Sequence, residues 1–292
     1  MEPLSCVGSL SEGIESALDK CELFGLPFLF VVDPRGLLMG GVSRSDLMAA
    51  LYGSLRPTRI GGMATLTGVR LTTGSLCGGA GDLSLLLTGV AFGLLNWGII
   101  ASLDFLQARI PFSPLGRLSD FSELFAFLLF LFFLRLSPLS GYHAAEHQTV
   151  HAIERGEALT PEILALQPRE HPRCGTNLVA AFLGISLLLP VADNPLILLV
   201  GGVFIFLYWR KAGMLIQHYF TTKPPTETQS LAAIKAGEEL LALYRGRPSF
   251  RASWPVRIWG MGIAQVLAGL FLVEFARVML LLCGRISLFH LF

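Results

Sequence analysis

Charge is scarce in this chain of 292 residues. Only 15% of them are Asp, Glu, Lys or Arg, whereas a soluble domain carries about a quarter. Acidic and basic residues nearly cancel, 21 against 22. No block of Lys and Arg stands out, so nothing points to a nucleic-acid partner. Cysteine is sparse too, with five residues at 6, 21, 77, 174 and 283. None forms a C-x-x-C pair, and an odd, dispersed set argues for reduced thiols rather than a disulfide framework. A G-x-x-x-x-G-K-[ST] phosphate loop is missing. A basic n-region followed by an apolar h-region is missing as well, which argues against a cleaved signal peptide.

Apolar residues fill the space that charge leaves. They make up 53% of the chain, and mean hydropathy is +0.62. Long apolar runs predict a mainly α-helical polytopic membrane protein with about five transmembrane helices. The runs lie at 83–106, 121–136, 177–191, 196–209 and 258–282. Ala192-Asp193-Asn194-Pro195 divides the third from the fourth, which extends past Arg210 towards His218. Asn96 and Asp104 sit in the first run. Glu274 and Arg277, at i, i+3 in the last, predict an intramembrane ion pair. Lys223, Lys235, Arg245, Arg247 and Arg251 share one side with the N-terminus, while Arg109, Arg117 and Arg285 face the other. The excess of positive charge places the N-terminus on the cytoplasmic side of a cell inner membrane, with the lipid bilayer as the obligatory partner.

Residues 1–56 read differently. A helical pattern through Ile14, Ala17, Leu18 and Cys21 precedes a strand run, Phe28-Leu29-Phe30-Val31-Val32. A turn at Asp33-Pro34-Arg35-Gly36, a second strand and a helix from Leu47 follow. This α/β order resembles a single cystathionine-β-synthase-type (CBS) motif, most specifically in FLFVVDPRGLLMGGVSRSDLMAAL. The resemblance implies contacts from Gly41, Ser43 and Asp46 to the ribose of an adenine nucleotide. It also implies a homodimer, because two such motifs normally build one cleft. Ser43 and Asp46 alternatively cap the helix. Residues 57–82, rich in Gly and Thr, read as an ordered connector packed on a membrane domain at 83–292. An amphipathic helix is expected at 228–244, with Leu231, Ile234, Leu240 and Leu241 on its apolar face.

The chemistry concentrates at 142–176. In Tyr142-His143-Ala144-Ala145-Glu146-His147, the two histidines lie one helical turn apart on one stripe. H-x-x-E-H is an inverted zincin spacing, in which two His chelate Zn²⁺ or another divalent metal and the Glu takes a proton from water. His151 and Glu154 continue the stripe, and His171-Pro172-Arg173-Cys174 follows. Glu154, His171 and Cys174 compete for the third ligand position. Glu146 is the expected base, and Arg173 the group that steadies an oxyanion. A polar surface helix is the plainer reading.

The block YHAAEHQTVHAIE…HPRCGT, followed by RKAG and FTTKPPTETQSLAAIKA, resembles the YqhQ-like family of bacterial membrane proteins, described as predicted metal-dependent enzymes. The resemblance runs from about Arg59 to Leu243 and transfers to His143, Glu146, His147, Glu154, His171, Arg173 and Cys174. Gln148 stands where that family usually has Lys, and IGGMATLTGV lacks the family's acidic residue. The expected function is a membrane-embedded zinc hydrolase acting on a peptide or lipid-linked substrate. The alternatives are a CBS-regulated transporter or gating protein with a metal-sensing site, and a scaffold.

Overall fold

The computed structural model describes residues 7–9, 11–53, 56–109, 122–189, 194–247 and 250–289. Arg117, Cys6, Ala192 and Asp193 lie outside the described residues. The chain forms two compact units, 1–57 with 241–249 and 58–240 with 250–292.

The first unit contains β1 (Val7–Ser9), α1 (Ile14–Leu23), β2 (Phe28–Val32), β3 (Leu38–Ser43) and α2 (Arg44–Gly53). β2 is central, parallel to β1 and antiparallel to β3. Ala17, Leu18 and Cys21, at helical spacing, pack with Leu29 and Leu47. The β2–β3 turn is held by Asp33 Oδ1, which accepts from the N–H groups of Arg35 (2.8 Å) and Leu37 (2.9 Å). Gly36 supplies the left-handed backbone there, at φ 81°. Three residues are too few to show alternation, so β1 is not visible in the sequence. Ser43 and Asp46 form a capping box for α2. The Asp46 N–H donates to Ser43 Oγ (3.0 Å), and the Ser43 N–H donates to Asp46 Oδ2 (3.4 Å).

In the second unit the expected connector is a sheet. β4 (Gly61–Thr65), β5 (Gly68–Thr72) and β6 (Cys77–Gly79) pair antiparallel in that order. β5 is buried along its whole length. A strand covered on both faces carries no alternation, which is why the sequence pattern hides it. The predicted amphipathic helix is α9 (Glu227–Gly246). Ile234 and Leu240 are buried as expected, but Leu231 is 47% exposed. Ala233 and Ala236 are buried instead. Close approach selects them: a Cβ on Gly78 would lie 2.6 Å from the Leu240 backbone nitrogen.

The remaining elements are α3 (Asp82–Arg109), α4 (Ser122–Leu136), α5 (Leu139–Arg155), α6 (Pro161–Ala165), α7 (Thr176–Leu188), α8 (Pro195–Ile216), α10 (Trp254–Gly260) and α11 (Ile263–Phe289). A π-helical turn, Gln217–Thr221, extends α8 past Arg210. Among the described residues, three helices are long and apolar enough to cross a membrane: 82–106, 195–221 and 263–283. Counting α4 and α5 as one broken span makes four. The expected number was about five. The 15 residues of α4 and 13 of α7 fall short of the roughly 20 that a bilayer core requires. The run at 258–282 is also interrupted, because Gly262 at φ 83° separates α10 from α11.

The chain bends by 73° between α4 and α5. Pro138 stands at the bend, and proline cannot continue the hydrogen-bond ladder of α4. Lys223 Nζ donates to the freed carbonyls of Arg135, Leu136 and Ser137, at 3.4, 3.3 and 2.8 Å. α5 is polar and covered by β4, β5, α6 and α9. Protein surrounds it, and we read it as lying outside the spans. α3 and α11 pack through glycine: a Cβ on Gly93 would meet Val273 Cβ at 2.8 Å. Small residues make that backbone approach possible where lipid leaves little hydrophobic drive. The expected ion pair is present on α11, with Arg277 Nε 3.0 and 3.1 Å from the two Glu274 oxygens.

Candidate metal centre

His143 and His147 are each fixed from behind by a backbone carbonyl. His143 Nδ1 lies 3.0 Å from Thr221 O, and His147 Nδ1 lies 2.5 Å from Arg169 O. A carbonyl can only accept, so each Nδ1 carries the proton and each Nε2 keeps its lone pair. This is the orientation in which a second partner prepares an imidazole for a metal. The two Nε2 atoms face one place, 4.0 and 3.9 Å from Glu146 Oε2. Cys174 Sγ reaches the same place, 3.3 Å from His143 Nε2. The donor atoms of His143, His147 and Cys174 lie within 4.8 Å of one another. Nitrogen and sulfur ligands of a tetrahedral zinc sit about 3.5 Å apart, so this donor set fits a metal ion.

Cys174 arrives on a turn that the far end of the unit holds in place. Gln217, in the π-helical turn, is fully buried. Its Oε1 accepts from His171 N–H at 2.8 Å, and its Nε2 donates to Asn177 Oδ1 at 2.8 Å. Asn177 Nδ2 in turn donates to Pro172 O at 2.8 Å. The same π-helical turn presents the Thr221 carbonyl to His143. Gln217→Leu is expected to weaken zinc binding roughly 10–100-fold, the usual cost of losing an outer partner of a ligand. Competition with a chromophoric chelator measures this, and unchanged affinity would mean that the 171–177 turn holds itself.

Burial controls the protonation of the site. It pushes the Glu146 carboxyl up to about 8; the Cys174 thiol adds to that rise and His143 opposes it. It pushes His147 well down, with His143 contributing in the same direction. His171 is pushed down to about 4 by burial, then by His151 and Arg173. The Cys174 thiol is raised by burial, against hydrogen bonds with Thr176. His147 and His171 are therefore neutral, the form that ligates.

The three contenders for third ligand stand in different surroundings. Glu154 pairs with Arg173 and accepts from the Ile60 N–H at 3.0 Å, so it lies outside the donor group. His171 sits between two rings, 5.6 Å from His147 and 4.8 Å from His151, and its Nδ1 accepts from the Arg173 N–H at 3.3 Å. Cys174 is the one that joins the two histidines. Arg173 borders the site with its guanidinium on Glu154, rather than standing free for an oxyanion. His151 Nε2 lies 3.0 Å from Glu170 O, away from the donor atoms. Gly41, Ser43 and Asp46 belong to the other unit.

Sequence reasoning missed Gln217, Asn177, Thr221 and Gly62. Gly62 lies on β4 directly against Glu146, and a Cβ there would collide with the carboxylate. The Gly-Gly pair was a visible signal for such an approach; the Thr221 carbonyl has no side-chain signal at all. A cavity of about 580 Å³ opens at the site. It is lined by the polar His143, Glu146, His147 and Cys174 and by the apolar Phe92, Phe127, Phe130 and Leu131.

Fold and site define a mostly helical protein with three helices, among the described residues, long and apolar enough to cross a membrane, and a His/His/Cys group able to hold a metal ion beneath a small sheet. Over residues 117–205, which include all three donors and Glu146, the chain matches the family described as "Protein of unknown function (DUF1385)". No curated protein and no solved structure matches the chain.

Proposed function

We propose that this protein is a membrane-embedded, metal-dependent hydrolase, with zinc as the ion that suits two imidazoles and a thiolate. One observation carries the reading: two Nε2 lone pairs and one Sγ converge beside a buried carboxylate on the wall of a cavity. Three protein donors with room for a fourth position match a catalytic site better than a closed structural one. When bound, the ion supplies the positive charge that makes water acidic and a carbonyl electrophilic. Glu146 becomes ionised beside such a charge, because an opposite charge within about 4–6 Å favours the carboxylate. It takes one proton from the attacking water as the new O–C bond forms at the carbonyl carbon. It returns that proton to the leaving nitrogen or oxygen as the C–N or C–O bond breaks. Thr221 and Arg169 hold the two rings through their carbonyls and keep Nε2 unprotonated.

The test is Glu146→Gln in protein purified without chelators and supplied with zinc. Metal content is expected to stay near that of the parent, while hydrolysis of a fluorogenic amide or ester panel falls by 10²-fold or more, the scale of a lost general base. A metal-free parent overturns the reading. The gating alternative draws less support, since Glu274 and Arg277 neutralise each other and a sensor has no use for a buried base.

The first unit supports a regulatory proposal. Phe28, Phe30, Leu38 and Met39 are exposed, which suits an apolar contact with a second copy. The end of β3, with Gly41, Ser43 and Asp46, suits an adenine nucleotide in a CBS-type arrangement. Sedimentation and ATP calorimetry on the full chain test both; a monomer with no binding heat ends the idea. The proposed orientation has the N-terminus in the cytoplasm of an inner membrane, checked by labelling a cysteine placed at Gly246.

A further inference from the structure

Part of the cavity wall is backbone. Gly61, Gly62, Met63 and Ala64, four consecutive residues of β4, all border it. Neighbouring residues of a strand point to opposite faces, so side chains of a single face do not account for all four, and the strand backbone itself takes part in the wall. β4 is the outer strand of its sheet and bonds only to β5. The hairpin phase shows which groups that edge presents. The turn has two residues, Leu66 and Thr67, between the paired Thr65 and Gly68. Residues flanking such a turn exchange hydrogen bonds, and alternate residues face outwards. Gly61, Met63 and Thr65 therefore bond to β5. The N–H and C=O of Gly62 and Ala64 point away from it, and among the described residues these four groups have no partner.

Backbone polar groups on a half-buried strand need partners. Thr221 Oγ1, buried and without a hydrogen bond, borders the same cavity and adds another unmet polar atom. Phe92, Phe127, Phe130 and Leu131 give the same cavity an apolar wall, and Ala64 packs against the cluster that contains Leu131. The occupant must present a ladder of donors and acceptors to β4 and apolar groups to that wall. An extended polypeptide does both, since its backbone adds to a sheet edge and its side chains alternate away from it. An acyl chain satisfies the wall alone.

We infer that the substrate is a polypeptide segment with apolar side chains, bound in extended form as a fourth strand against β4. This rests on the hydrolase reading. Gly62 is the contact point of the inference: the Glu146 carboxylate occupies the space where its side chain would be, so a peptide paired at Gly62 runs past the base. Water oxygen adds to an amide carbonyl carbon, the C–N bond breaks, and the proton held by Glu146 passes to the leaving nitrogen. New carboxyl and amino termini result.

Two metal-binding probes with the same head group separate the occupants: Leu-Phe-Ala hydroxamate and octanohydroxamate. On zinc-loaded full-length protein the peptidyl probe is expected to bind at least about tenfold tighter, from several added hydrogen bonds. Ala64→Pro removes one outward N–H while keeping the β5 ladder, the position at which an edge strand tolerates proline. It should cost the peptidyl probe roughly fivefold to tenfold and leave the alkyl probe and zinc content unchanged. Equal or tighter binding of octanohydroxamate overturns the inference in favour of a single-chain amphiphile. Binding of neither probe to zinc-loaded protein overturns it as well, with the hydrolase reading intact. Failure to take up zinc is a different result, which ends the hydrolase reading before any probe is added. If Ala64→Pro does not fold, as judged by circular dichroism, the comparison of probes on the parent decides alone.

Discussion

Replacing His147 with alanine is expected to empty the metal site. Bound zinc should fall from near one equivalent to below about a tenth, measured by elemental mass spectrometry after gel filtration. Outer partners of a ligand cost about 10–100-fold when lost, and a ligand itself costs more. His147 has no substitute nearby, because its ring fills a nearly closed position and His171 holds its Nδ1 on the Arg173 N–H. His143→Ala should behave in the same way. Cys174→Ser should reduce zinc content too, since a neutral hydroxyl is a poor exchange for a thiolate. Glu154→Ala is the discriminating control. Its carboxylate is engaged with Arg173 and the Ile60 N–H, so zinc content should hold. Loss of zinc in Glu154→Ala, with retention in Cys174→Ser, would reverse the assignment of the third ligand. Equal zinc in every variant would return the whole group to core packing.

Gly62→Val should damage the site with no change to any ligand or base. The new Cβ meets the Glu146 carboxylate at once, and β4 or the side chain must move. Misplacing a reacting group by about 1 Å costs on the order of 10²-fold in turnover. Forcing atoms into a packed interior costs roughly 1–3 kcal/mol of stability. Gly61→Ala is the matched control, because its Cβ would find Thr72 Cγ2 at 3.7 Å, an ordinary contact. Turnover and thermal unfolding of the pair distinguish a specific approach from general intolerance in β4. Similar losses in both would show that the glycines serve the sheet rather than the base.

Local regularity made part of this protein legible in its sequence. His143 and His147 share a stripe because 3.6 residues make a turn, and the structure places both rings at one point. Glu274 and Arg277 pair for the same reason. The apolar runs marked helices, but their number of crossings depended on where the helices break. Pro138 and Gly262 both interrupt segments that composition alone joins or counts whole. The sheet of β4, β5 and β6 left no alternation to read, since β5 is covered on both faces. Hydropathy patterns report one exposed face, and this strand has none.

By itself, then, the sequence determined the mostly helical class with long apolar helices, the two imidazoles on one stripe and the carboxylate beside them. Each follows from residues within one or two turns of one another. Only the tertiary structure brought the Cys174 donor atom within 4.8 Å of those of the two histidines and paired Glu154 with Arg173. That arrangement depends on how residues 171–177 fold back, and Gln217, 43 positions beyond Cys174, fixes that turn through the His171 N–H and Asn177. Tertiary structure also set β4 against the base, with Gly62 leaving the space that the Glu146 carboxylate fills. Chelation and strand pairing join residues far apart in the chain, and their geometry is settled by packing rather than by spacing.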